Sequence, residues 1–497
     1  MKLRELNILL FSAFAFFMLA IRNGDVLYTL SEQSLFVPGH SFWEETTATS
    51  GVAGWLGCFL TQFLHVPWLG ALLLILLWMG IYYAAVRAFS LKGTWTLLAL
   101  IPLTVLLCQE ISHGYHVFYL KSEGVAFVPT LYTLGVALLL LLLRVLLLRK
   151  LRSLNVSLPK YVTIAFFLLV WAALVTVVFH YDYSDENYHH ELRMARSMDE
   201  CRWDDVLTEF EQKDGRPTNL MVIYKNIALQ HTGRITDMFT LDNCGGQPYV
   251  SDSLIVHISQ LAAPMIYYQV GLFNFAYRWA MENSVQYGLS VASLKMMARC
   301  AIWNGELELA DKYLNLLRTT LFYKDWAAEH AMWMHDAHRF WSHPEYKAIV
   351  PLIDTDADVL DYDNSLCQKY ILDHFSSLRT ERPGLEDFAL CVSLWTESVA
   401  DFAEQLEGWL ERHPHEPLPT LYQEAALLIS QMEGAPAWLS ELNYDAAVRT
   451  RFQQFMTDAY AMQNLGHNEQ DMAKQLRPQY GTTYWWYYYF YTDFQIY

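Results

Sequence analysis

The sequence predicts an all-α protein in two parts. The first is a polytopic helical membrane domain of about five spans plus a re-entrant or interfacial helix, and the second is an α-solenoid soluble domain. Three observations carry this. Apolar runs long enough to cross a bilayer recur up to Phe179 and then stop. Residues 1–180 hold 11 Lys and Arg against 7 Asp and Glu, a net of +4, whereas the remaining 317 residues hold 23 against 45, a net of −22. Past His180 the pattern turns to amphipathic helices of roughly 12–15 residues with short turns and little strand alternation.

The elements of the first part follow from hydropathy and cations. Met1-Lys2-Leu3-Arg4 before Leu6–Ile21 has the shape of a signal peptide. No small-x-small site precedes a soluble stretch, and more spans follow, so it reads as an uncleaved first span entering from the cytoplasm. Residues 23–50 form an external loop carrying Asp25, Glu32, Glu44 and Glu45. Gly51–Val86 is longer than one span, and His65-Val66-Pro67 interrupts it, because proline removes a donor and disfavours helix just before itself. One reading is a re-entrant or interfacial helix (Gly51–Leu64) leading into a span (Trp68–Val86); the other is a tight hairpin of two spans. Cations stay on the cytoplasmic side. Arg87 and Lys92 therefore need an odd number of crossings after the external loop, which the first reading supplies.

Thr94–Leu107 then leads out to a loop with Glu110, His113, His116, Lys121 and Glu123. Val125–Leu148 returns to a basic cluster of Arg144, Arg149, Lys150, Arg152 and Lys160, and Tyr161–Phe179 crosses again. The expected topology has a cytoplasmic N-terminus and residues 181–497 beyond the membrane. The expected domains are 1–180 (transmembrane), 181–322 (helical repeats) and 323–497 (a further helical array with an aromatic tail).

In the second part a period near 34 residues relates four helices: Trp203–Glu211, Thr236–Leu241, Leu272–Glu282 and Glu306–Leu317. The clearest unit is Leu294–Leu317, with Ala298 inside the first helix, Gly305 at the turn and Ala310 inside the second. It resembles a tetratricopeptide repeat, with Leu294, Met297, Ala298, Ala301, Ala310 and Leu314 at the hydrophobic positions. It departs from that pattern at Ala301, where an aromatic is expected, and at Phe322, where a proline closes the repeat. The 217–241 unit has Asn226 where a small apolar residue is expected. Helices continue as Asp325–Phe340, Leu385–Thr396, Asp401–Glu411, Leu418–Gln431 and Tyr444–Asn464. Eight consecutive aromatics, Tyr484 to Tyr491, would invite association if left bare, so they are expected to dock on the protein itself.

Chemistry is sparse. Polytopic glycosyltransferases that use lipid-phosphate sugars place an acidic residue in the first external loop, and the layout here looks like a reduced version of that class. That resemblance makes Glu44 and Glu45 the candidate catalytic bases. Glu110 and His113, three apart on one helix face, are the candidate metal ligands. Asp182, Asp185, Glu186, His189 and His190, and likewise His330, His335 and His338 on one helix, read as solvated or packed faces. P-loop, GxSxG, GxGxxG and Cys/His zinc spacings are missing, and no cofactor is expected. The seven cysteines are unpaired in spacing and read as buried apolar residues, with a Cys367–Cys391 bridge left open. A net of −22 excludes nucleic acid as the main partner; proteins and membrane lipids are expected instead.

As a whole the chain resembles uncharacterised polytopic inner-membrane proteins of Gram-negative bacteria with a tetratricopeptide-like exported domain. That resemblance implies a multi-pass inner-membrane protein with a periplasmic C-terminal part. The leading functional expectation is a non-enzymatic scaffold binding proteins of an envelope assembly pathway. The alternative is a lipid-linked-sugar transferase using Glu44 or Glu45.

Overall fold

The computed structural model describes residues 3–115, 125–147, 159–182, 186–240, 262–353, 358 and 373–490, and among these every regular element is helical. The chain divides into two compact units, one of residues 1–192 and 277–336, the other of 193–276 and 337–497.

In the first unit α1 (Leu3–Phe16) runs into a π-helical stretch, Phe17–Arg22. The short α2 (Gly24–Glu32) and the longer α3 (His40–Thr61) follow. After a 3-10 turn at Gln62–His65, α4 (Pro67–Ala88) begins, with proline at a first-turn position where its missing N–H costs nothing. A 3-10 segment, Gly93–Leu100, leads into α5 (Ile101–Tyr115), and α6 (Val128–Leu147) and α7 (Lys160–Tyr181) complete the set. Five helical stretches are long and apolar enough to cross a membrane: Leu3–Arg22, Pro67–Ala88, Gly93–Tyr115, Val128–Leu146 and Tyr161–Tyr181. This is the expected number. The third reaches eight residues further than Thr94–Leu107, so Glu110 and His113 belong to the helix and not to a loop. His116, Lys121 and Glu123 lie outside the described residues.

α3 is the additional helix. Its first half carries His40, Glu44, Glu45 and three threonines, too polar for a span, and it breaks at Gly51 (φ 68°, ψ −175°). Its second half packs tightly on the start of α6: a side chain at Gly57 would run into Val125 and Val128.

α4 is central. Leu74, Trp78 and Tyr82 are buried along it, with Phe11 of α1 edge-on to Trp78. Apolar packing gains little over lipid, so buried polar groups must find partners inside the bundle. Several do: Trp78 donates to Thr130 (2.9 Å), Asn7 to Thr96 (3.1 Å) and the Tyr82 hydroxyl to the Arg4 carbonyl (3.1 Å). α6 and α7 expose runs such as Leu138, Leu139 and Leu142 or Leu168 and Leu169, the surface a hydrocarbon solvent covers.

Residues 277–336 of the same unit form helical hairpins: the end of Phe273–Tyr287, then Val291–Trp303, Leu307–Arg318 and Lys324–His335. Ser290 caps the second in a reciprocal box with Ser293, and Gly305 (φ 73°) makes the turn before the third. All six positions singled out in the 294–317 unit are buried. Asp336 leaves helical geometry, so the expected Asp325–Phe340 helix is two, and His338 is not on the helix of His330 and His335.

The second unit holds Asn219–His231 and, close to the expected bounds, Trp203–Glu211, Leu385–Trp395, Val399–Arg412, Thr420–Ile429 and Ala446–Asn464. Thr236–Leu241 is instead a 3-10 turn, Ile235–Asp237. The aromatic run forms a helix, Tyr484–Phe490, of which Tyr484, Trp485, Trp486 and Tyr487 are buried. Tyr487 donates to the Trp395 carbonyl (2.8 Å), Trp486 to that of Ala473 (3.2 Å), and Trp485 packs on Phe452. Cys391 is buried; Cys367, Asp185 and Tyr491 lie outside the described residues.

Candidate functional site

The groups that carry chemistry in the first unit gather at one end of its spans, where α1 stops, α4 starts, α5 stops, α6 starts and α7 stops. Three assemblies occupy it.

The first is built on α2. Asp25, Tyr28 and Glu32 stand at i, i+3 and i+7, on one helix face. Glu32 Oε1 accepts from the Tyr28 hydroxyl (3.2 Å) and the Tyr323 hydroxyl (2.6 Å), and Lys295 Nζ lies 3.6 Å from its Oε2. Burial and the neighbouring Glu32 carboxylate hold the Tyr323 phenol well above its usual pKa, so it keeps the proton it donates. That proton is committed to Glu32, so the 3.0 Å contact between Tyr323 and His65 Nδ1 requires the imidazole to be the donor there. Gln62 Oε1 accepts from Leu321 N (3.1 Å), Phe322 stacks on His65 (5.0 Å), and Val291 N donates to Ser34 O (3.1 Å). Lys295 and Arg299 are buried over Trp326, with the cations 5.6 and 5.3 Å from its ring. Phe322, the residue that replaced a repeat-closing proline, is therefore a docking residue.

The second assembly joins the end of α1 to the segment after α7. Arg22 pairs with Asp182 and Glu186, Asn23 donates to Asp182 (3.1 Å), and His189 Nδ1 meets Asp25 (2.9 Å). Of the groups expected as solvated or packed faces, Asp182 and His189 are buried in this contact network and Glu186 joins it with a side chain 44% exposed.

The third is a cavity of 660 Å³ lined by Glu110, His113, Gln109 and Ser112 on α5, by Val125, Val128 and Pro129, and by Val177 and Tyr181 of α7. Glu110 is 3% exposed; its Oε1 accepts from Phe127 N (3.3 Å), and among the described residues its Oε2 has no hydrogen-bond partner. Phe127 is left-handed (φ 68°), a conformation that costs a bulky residue on the order of 1–3 kcal/mol and gathers at functional sites.

The predicted residues fall unequally on this map. Glu110 and His113 line one cavity; among the described residues no three His, Cys, Asp or Glu side chains gather to hold a metal ion. Glu44 and Glu45 lie on the exposed first half of α3, Glu44 with a side chain 67% exposed and 3.3 Å from His40, and neither lines that cavity. The other two acids of residues 23–50 are more enclosed: Glu32 is buried and the Asp25 side chain is 11% exposed. Sequence reading passed over them, although the spacing of Asp25, Tyr28 and Glu32 was visible.

Residues 1–127 and 111–491 match a family described as a family of unknown function (DUF6057). The chain belongs to this family. No curated protein and no solved structure matches the chain.

Proposed function

We propose that this DUF6057 protein is a membrane-anchored scaffold. In this reading a tetratricopeptide-like helical array binds proteins of an envelope assembly pathway at the outer face of a bacterial inner membrane. The observation that carries the reading is the clamp on Glu32. It fastens the hairpins of 291–335 to the membrane helices through buried hydrogen bonds, so that a repeat surface is held at a set distance from the bilayer. A platform of that kind suits the capture of partners that also sit in or near the membrane. Just before these hairpins, Met281 and Val285 (81% exposed), one turn apart near the end of Phe273–Tyr287, and Leu289 just past that helix are exposed apolar side chains, the kind of surface that marks an interface.

The transferase reading ranks second. A base needs an oxygen open to an acceptor hydroxyl. Asp25 and the buried Glu32 spend theirs on His189, Tyr28 and Tyr323, and the open acids Glu44 and Glu45 do not line the Glu110 cavity.

The test is in-cell crosslinking from a photoreactive residue at Val285. The scaffold reading expects discrete adducts with envelope proteins, lost in Met281→Asp/Leu289→Asp. Adducts with lipid alone, or protein adducts indifferent to those changes, would overturn it.

A further inference from the structure

We propose that the Glu110 cavity binds a membrane amphiphile: a hydrocarbon chain whose head donates a hydrogen bond, as a hydroxyl or an ammonium does. Three features of the cavity point there.

Its polarity is graded along the helix axis as a bilayer is. On α5, Thr104, Val105 and Cys108 line the part nearer the middle of the span, and Gln109, Glu110, Ser112 and His113 line the part nearer its end. Val125, Val128, Pro129 and Val177 supply apolar walls, and the rim residues Val105 and Val177 are about half exposed on the outer surface of the apolar bundle. A chain therefore enters from the lipid side and its head stops at Glu110. A volume of 660 Å³ is in the range of sites for single small molecules.

The head chemistry follows from Glu110. An ionisable side chain at membrane depth is held there for a partner. One oxygen is used by Phe127 N, and the other is buried and lacks a donor. An anionic head such as a bare phosphate would meet this acid unfavourably, and a wholly apolar lipid would leave its oxygen unsatisfied. A soluble polar metabolite would leave the valine and proline walls unsatisfied. The site is also built: Phe127 is kept left-handed with its N–H on Glu110, which fixes the direction of the carboxyl group.

The experiment uses the full chain in lipid nanodiscs with three clickable diazirine probes: octadecanol, octadecylamine and octadecyl methyl ether, the last lacking a donor. The alcohol and the amine should label peptides within 101–115 and 125–147 about tenfold more than the ether, the factor one such hydrogen bond supplies. Glu110→Gln keeps the shape. Its carbonyl oxygen must stay on the Phe127 N–H, which turns the amide NH₂ into the cavity; an ammonium then meets donor against donor, whereas a hydroxyl or ether oxygen can accept from it, so amine labelling should fall about tenfold. Val105→Trp, on the exposed rim, should block all three. Equal labelling by the ether in the wild type, or amine labelling unchanged in Glu110→Gln, would overturn the proposal.

Discussion

At the scale of single residues, the clamp is the most closely constrained chemistry in the molecule. Tyr323→Phe deletes the donor at 2.6 Å from Glu32 and leaves a buried carboxylate short of a partner, a loss on the order of 1–3 kcal/mol. Thermal unfolding of the detergent-solubilised protein measures it. Glu32→Gln combined with Tyr323→Phe should cost less than the sum of the two, because the pair acts through one bond; strict additivity would deny the contact. In the second unit, burial pushes the His231 imidazole, stacked 4.3 Å from Trp203, down to about 4 from its ordinary 6.5. Between these values the unfolded chain binds a proton that the folded chain refuses. The stability His231 contributes is thus complete above pH 6.5 and is lost as the pH falls towards 4. Denaturation followed by tryptophan fluorescence from pH 7 to 4.5 should weaken across that window, and His231→Gln should flatten the decline.

At the scale of elements, the five spans were legible because each is a long apolar run bounded by cations or proline, a signal contained within about twenty residues. The helix at 51–64 was legible too, but its true start at His40 was not, since Trp43-Glu44-Glu45-Thr46-Thr47 has no apolar period to announce a helix. What joins the two halves of α3 is Gly51, whose φ and ψ suit glycine alone. Gly51→Ala should cost on the order of 1–3 kcal/mol in unfolding experiments, whereas an alanine at the exposed and unstrained Gly135 should cost little more than nothing. The clamp was illegible for the opposite reason: Glu32 and Tyr323 are 291 residues apart and His65 and Tyr323 258 apart, and no local pattern links them. Glu44 and Glu45 drew notice as a doublet, yet a doublet places its side chains about 100° apart on a helix, while Asp25 and Glu32 share a face. Glu110 was noticed as a possible ligand, but its cavity is made jointly by α5, the start of α6 and the end of α7, which only the fold brings together.

At the scale of the whole molecule, the composition divides the chain near His180, but packing does not follow that division. The hairpins of 277–336 belong to the compact unit of the membrane helices. The aromatic run belongs to the other unit, where Glu424 Oε2 accepts from Tyr484 N (2.8 Å) at the start of its helix. Trp485 is fully buried against Phe452 and Phe455. Trp485→Ala should destabilise the second unit by about 3–5 kcal/mol, read as an early unfolding transition and as rapid proteolysis within 337–490. The first unit should keep its melting behaviour. A single shared transition lowered for both units would contradict their separation.

The scaffold reading itself is tested most directly by rescue of a deletion strain. Envelope composition is profiled by mass spectrometry after complementation with the wild type, with Glu44→Gln/Glu45→Gln, and with Val285→Asp/Leu289→Asp, all at matched membrane levels. The scaffold account predicts that the Gln pair restores the wild-type profile and that the Asp pair does not. A Gln pair that fails to restore a missing glycolipid while the Asp pair succeeds would contradict it and make Glu44 and Glu45 the working groups.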